Sequence, residues 1–246
     1  MKRVMVGEIP VVYVEPQGES RKKLVIFLSG FSGDKEGCLP RLEELAALGF
    51  TAVSFDAWQH GERMVVDVAE LRARISGNIR RYFWPILAHT AREVPLVIDW
   101  ALERFDLDDA VGMGGISMGG DISVVAAGID QRIAVAVPGI ATPDWLRPGT
   151  FEPVGQADEI AQVCYDELNP LTHLEHYAHC PRIVFQNGAE DGQVPPDGSL
   201  RFCEMLRASH YQNCSERIEA VLHEHVAHAY GDAMWENTKQ LLAEHL

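Results

Sequence analysis

The residue types most suited to chemistry lie in Gly115-Ile116-Ser117-Met118-Gly119, a G-x-S-x-G run. It follows an apolar stretch ending near Gly114 and precedes a helical pattern carrying Ile122, Val125, Ala126 and Ile129. That strand, turn and helix setting is what a nucleophile elbow requires. A sharp turn holding the serine in a strained conformation brings its neighbours too close for side chains, which explains glycine at 115 and 119. The expected chemistry is attack by the Ser117 hydroxyl on an acyl carbon.

A serine hydroxyl is a weak nucleophile at neutral pH and needs a base, itself held by a third group. After a strand-like run at 182–186 comes NGAEDGQVP, a turn at the kind of strand end where α/β proteins gather functional groups. Asp191 is the leading acid there, with Glu190 and Asp197 near enough to compete. Beyond the last apolar run, LHEHVAHAYGDAM offers His223, His225 and His228 as bases, and His228 stands just before the expected C-terminal helix. The spacing is wrong for the metal-binding H-E-x-x-H pattern, because Ala227 occupies the fourth position after His223. No metal or cofactor is expected. In strand-turn-helix sites of this kind the oxyanion is held by the amide after the nucleophile, here Met118, and by one from an earlier strand-end loop. That loop reads LSGFSGD, making the Phe31 amide the second candidate.

The elements that must position these groups follow from apolar periodicity. Short runs rich in Val and Ile at 11–14, 24–28, 51–55, 110–114, 133–137, 182–186 and 217–222 predict strands. Longer patterns at i, i+3, i+4 separate them, including Leu42, Leu45 and Ala46, and then Val94, Val97, Ile98 and Ala101. Alternation of this kind predicts an α/β fold, a mostly parallel sheet covered by helices on both faces. Two stretches break the rhythm. Residues 64–94 look helical but contain Pro85, and 141–178 hold Pro143, Pro148, Pro153 and Pro170, so both are expected to be short helices and turns. The second is placed to form a small lid-like insertion above the serine. Trp145 from it, and Trp84 from the first stretch, are candidates for an apolar substrate wall, or else they pack the insertion onto the body.

Composition narrows the function classes. The 246 residues, 47% hydrophobic and 23% charged, suit one globular domain, and nothing resembles a linker. A net charge of -15 repels phosphate backbones and anionic lipid, so neither nucleic acid nor a membrane is an expected partner, leaving a small molecule. Five scattered cysteines without a Cys-x-x-Cys pair, and an N-terminus lacking an unbroken apolar stretch, point to a reducing, cytoplasmic setting.

Taken in order, LSGFSGDKE, SFDAWQHGER, GGISMGG, NPLTHLEHYAHCPRIVFQNGAEDGQVPP and HAYGDAMWE resemble the α/β-hydrolase superfamily, and within it the dienelactone-hydrolase-like and prolyl-oligopeptidase-like serine esterases. The likeness extends to the small bacterial carboxylesterases of the YjfP type. It implies Ser117, Asp191 and His228 as a catalytic triad, the amides of Phe31 and Met118 as the oxyanion hole, and a loop-holding role for Asp56, His60 and Arg63. Many relatives have His-Gly where this chain has Ser29-Gly30. Dienelactone hydrolases proper use cysteine at the elbow, so serine implies carboxylic ester hydrolysis. Thioester, lactone, amide or small-peptide hydrolysis would use the same intermediate, and a non-catalytic ligand-binding protein of this fold is the alternative from another class.

Overall fold

A computed structural model describes residues 1–246. Its frame is one eight-stranded sheet of β1 (Lys2–Val6), β2 (Ile9–Val14), β3 (Leu24–Leu28), β4 (Thr51–Phe55), β5 (Val111–Ile116), β6 (Ile133–Gly139), β7 (Arg182–Gly188) and β8 (Ile218–His223), in the order β1-β2-β4-β3-β5-β6-β7-β8. β1 and β2 form an antiparallel hairpin and β2 pairs antiparallel with β4, whereas every later pairing is parallel. Seven strands match the expected runs to within two residues, and β1 is the one the apolar pattern did not reveal. It is an edge strand with burial only at Val4 and Val6, so it lacks the continuous apolar run that marks a strand covered on both faces.

The strands β3 to β7 are buried on both faces, as a parallel sheet demands, whereas the edge strand β8 is fully buried only at Ile218. Leu24, Ile26 and Leu28 enter one apolar cluster, while Val25 and Phe27 enter the other. This is the period-two alternation of a strand. The smaller cluster is closed by α1 (Leu39–Ala47) and α7 (Asp232–His245), through Leu42, Leu45, Trp235 and Leu242. The larger is closed by α2 (Val68–Gly77), α3 (Ile79–Phe105), α4 (Met118–Ile129), α5 (Glu159–Leu168) and α6 (Asp197–Ala208).

The expected break at Pro85 is corrected by α3, which is continuous over 27 residues and contains both Pro85 and Pro95. Each proline removes one intrahelical donor. Against that loss, Phe83, Ile86, Leu87, Val94, Val97 and Ile98 are all buried along the helix, and this apolar stripe outweighs two missing hydrogen bonds. The chain does break at Asn78, whose side chain accepts from the Arg81 amide and caps the new helix. The 141–178 segment is, as expected, irregular apart from α5 and two short 3-10 turns.

Strand order reverses between β3 and β5: the chain leaves β3 for β4 on one side and returns to β5 on the other. Crevices at the carboxyl ends of strands form at such switch points. The two loops leaving this one are residues 29–33 and the turn at Ser117.

Candidate active site

Ser117 sits between the last residue of β5 and the first of α4 with φ 53° and ψ -111°, a strained conformation outside the regions open to ordinary side chains. Close packing around it explains the flanking glycines. A Cβ at Gly115 would lie 2.4 Å from the Gly119 carbonyl carbon, and one at Gly119 would lie 2.5 Å from the Leu28 carbonyl oxygen. The elbow is thus clamped against the end of β3, with the Ser117 amide donating to Gly139 at 2.8 Å.

The acid and base arrive on two loops stitched together. The amide of Ala189 donates to His223 and that of Glu190 to Val226, while a Cβ at Gly188 would approach the Ala227 carbonyl to 2.4 Å. Only glycine lets these loops touch so closely. His228 Nδ1 lies 2.7 Å from Asp191 Oδ2, and His228 Nε2 lies 3.0 Å from Ser117 Oγ. A carboxylate can only accept, so the imidazole proton belongs on Nδ1 and the Nε2 lone pair faces the serine hydroxyl. The other Asp191 oxygen accepts the amides of Gln193 and Val194 at 3.0 and 2.8 Å, which fixes the buried carboxylate in place.

The competing candidates lie elsewhere. Glu190 pairs with His225 at 3.1 Å on the surface, His223 Nε2 meets Gln186 at 2.8 Å, and Asp197 accepts from Arg201. Phe31 lines the same cleft as Ser117 and His228, and its amide has no acceptor within the protein. Met118 opens α4, so its amide lies outside that helix's own hydrogen-bond ladder. Both amides are available to an oxyanion.

The cleft over Ser117 measures about 550 Å³. Its walls are not those expected. Trp84 and Trp145 are each only 2% exposed and do not line it: Trp84 Nε1 donates to the Trp145 carbonyl at 3.0 Å, and the Trp84 ring stacks on Tyr165. Their substrate-wall role is therefore corrected to packing of the insertion on α3. Arg72, Ile75 and Ser76 of α2 supply one wall, Ile140 and Tyr230 another, and Glu152 with Gln193 part of the rim. From the insertion proper only Glu152 enters, because Phe151 and Thr150 are hydrogen-bonded to Gly192 and Gln193 beside the acid loop. A larger groove of about 870 Å³ beside α1, lined by residues such as Glu19 and Glu43, holds none of the groups described above.

Two supports flank these loops: one was not foreseen, and the other is built on Asp56, His60 and Arg63, to which the resemblance gives a loop-holding role. Behind the elbow, Asp121 of α4 and Arg147 of the insertion form a buried ion pair at 2.7 Å, and the Thr142 amide donates to the other Asp121 oxygen. Burial pushes the Asp121 carboxyl up and Arg147 opposes it. A lone Asp and a lone Arg separated along the chain carry no sequence signal for such a pair. Around the loop carrying Phe31, buried Asp56 accepts from the Lys35 amide at 3.0 Å and the Lys35 ammonium at 2.8 Å, and the His60 ring meets Phe31 edge-on at 5.4 Å. Arg63 donates to the Asp56 carbonyl and pairs with Glu93. His173, Glu175 and His176 bring possible metal-ligand atoms within 4.8 Å of one another, but both His173 nitrogens are already engaged, by Glu175 and the Asp166 carbonyl. None of the three lines the cleft.

A mostly parallel sheet with a serine elbow after β5 and these strand-end loops defines an α/β hydrolase of the serine-hydrolase, esterase type. The chain belongs to the prolyl oligopeptidase family, Peptidase_S9, whose pattern matches residues 89–243. It is 26% identical over 239 residues to the Bacillus subtilis (strain 168) protein named "Putative esterase YitV", covering 91% of this chain and 90% of that one. Among solved structures it is similar to TT1662 from Thermus thermophilus, with a TM-score of 0.79 and 22% identity over 99% of this chain and 96% of the other. It is also similar to Est1E from Butyrivibrio proteoclasticus, solved with ferulic acid, with a TM-score of 0.67 and 17% identity over 100% and 99% of the two chains. These structural likenesses show a shared fold. No helix is long and apolar enough to cross a membrane.

Proposed function

We propose that the chain hydrolyses carboxylic esters through an acyl-enzyme on Ser117. The observation that carries this reading is the relay from Ser117 Oγ to His228 Nε2 at 3.0 Å and from His228 Nδ1 to Asp191 at 2.7 Å. His228 accepts the serine proton as Oγ attacks the carbonyl carbon, and Asp191 holds the resulting imidazolium. The amides of Phe31 and Met118 donate to the oxyanion, each such donor contributing roughly 3 to 4 kcal/mol to the transition state. Collapse expels the alkoxide, which takes the proton from His228. Water, deprotonated by the same imidazole, then releases the acid and restores the serine.

An ester rather than an amide is favoured by the esterase name of the Bacillus subtilis relative, to which this chain aligns over nearly its whole length. The family's own name favours a second reading, cleavage of peptides or amides. A panel of p-nitrophenyl acyl esters of graded chain length, run beside thioester and aminoacyl-amide substrates, separates the two. Ester turnover well above amide turnover is expected. Cleavage of the amides with the esters left intact would replace this reading by the second.

A further inference from the structure

We infer that Arg72 is an anion-reading residue of the cleft, and that the preferred ester carries a carboxylate on one of its two halves. The inference rests on the hydrolase reading above and names its substrate class. Arg72 stands on α2 and lines the cavity that also contains Ser117 and His228. Its one hydrogen bond is a long one, from Nη2 to Ser32 Oγ at 3.3 Å, and Ser32 directly follows the proposed oxyanion donor Phe31.

What separates Arg72 from the rest of the surface is the company that every other cation keeps. Of the 21 Lys and Arg side chains, thirteen form ion pairs with Asp or Glu, from Lys2 to Lys239. Arg21, Arg182, Arg207 and Arg217 donate to backbone carbonyls, and Arg41, Arg80 and Arg104 lie over aromatic rings. Arg72 alone meets no carboxylate, no carbonyl and no ring. In a chain with 36 acidic residues, a guanidinium left without any of these at the mouth of the catalytic cleft has its planar donor fork open to a ligand. The one carboxylate lining the same cleft, Glu152, is countered from behind by Arg147 at 3.6 Å. A carboxylate is the group whose two oxygens match the fork, and it can reside on the acyl side, as in a dicarboxylic half-ester, or on the alcohol side.

Two pairs of substrates distinguish those sources. On the acyl side, p-nitrophenyl hemiglutarate is compared with p-nitrophenyl valerate; on the alcohol side, para-acetoxybenzoate is compared with its neutral methyl ester. The wild-type chain should favour the anionic member of one pair, and added salt should shrink that preference. Arg72→Gln should lower the ratio of kcat/KM for that anionic ester to kcat/KM for its neutral partner about tenfold to a hundredfold, the scale of a hydrogen bond to a charged group. Arg72→Lys, which keeps the charge and loses the fork, should fall between. Equal losses for anionic and neutral esters, or no preference for either anion in the wild type, would overturn the inference while leaving ester hydrolysis intact. Were no ester of any kind turned over, the hydrolase reading itself would fail, and titration calorimetry with glutarate would still decide the role of Arg72. Binding that weakens at least tenfold in Arg72→Gln supports it, and unchanged or absent wild-type binding contradicts it.

Discussion

Ser117, His228 and Asp191 each have a geometric job that a single atom carries, so conservative substitutions should separate chemistry from folding. Asp191→Asn keeps the side-chain shape but favours the wrong imidazole tautomer, and should slow ester turnover by roughly ten-thousandfold with little change in melting temperature. Comparable damage from Glu190→Gln, whose carboxylate meets exposed His225, would move the acid. His60 gives a different test. It is 2% exposed, and burial lowers its pKa from the ordinary 6.5, so the unfolded chain holds that proton more tightly than the folded one. Stability should therefore rise with pH up to about 6.5 and be lost on acidification below it, because the unfolded state binds more protons there. His89 and His179 shift the same way and share the slope. In His60→Gln, urea unfolding between about pH 5 and 6.5 should show a shallower acid limb; an unchanged slope would assign the whole effect to the other two. At this scale the elbow was legible because its glycines and serine are contiguous. Arg72, Asp121 and Arg147 were not, since their meaning arises only from contacts between distant segments.

The insertion and α3 show where apolar composition misleads. The sequence leaves Trp84 and Trp145 open between a substrate wall and packing, because aromatic residues at irregular spacing fit a pocket or a core, and only burial separates the two. Trp145→Ala should cost about 3 to 5 kcal/mol of stability, as for other large buried side chains, and depress kcat/KM for short and long acyl esters alike. A changed ratio between chain lengths at unchanged melting temperature would return Trp145 to the substrate wall. The ion pair of Asp121 and Arg147 links α4, which begins at the elbow, to the same insertion. Arg147→Met should destabilise the chain by about 3 to 5 kcal/mol, because it strands a buried carboxylate. Chemical denaturation measures this directly, and a loss below about 1 kcal/mol would mean that water reaches Asp121 freely. The strands from β2 to β7 were readable because burial on both faces forces apolar runs rich in Val and Ile, and the edge strand β8 because Ile218, Ala220, Val221 and Leu222 keep it apolar around the exposed Glu219. α3 was misread at Pro85 because the proline penalty is local, whereas the packing that outweighs it is spread along the whole helix.

Across the molecule, the site follows from topology more than from any one segment. Strand order reverses between β3 and β5, so the loop carrying Phe31 and the turn carrying Ser117 emerge side by side, and β7 and β8 deliver Asp191 and His228 from the same edge of the sheet. The sequential order of serine, acid and histidine was legible beforehand; the cleft's α2 wall was not, because nothing in the spacing of Arg72, Ile75 and Ser76 says which loop that helix faces. Every step of the proposed chemistry depends on Ser117 Oγ being the attacking atom. Intact-mass analysis of the chain after reaction with a fluorophosphonate, followed by peptide mapping, tests this most directly. One adduct on Ser117, with labelling and ester turnover both lost in Ser117→Ala, is the predicted result. An adduct on another residue, or ester turnover that survives in Ser117→Ala, would contradict it.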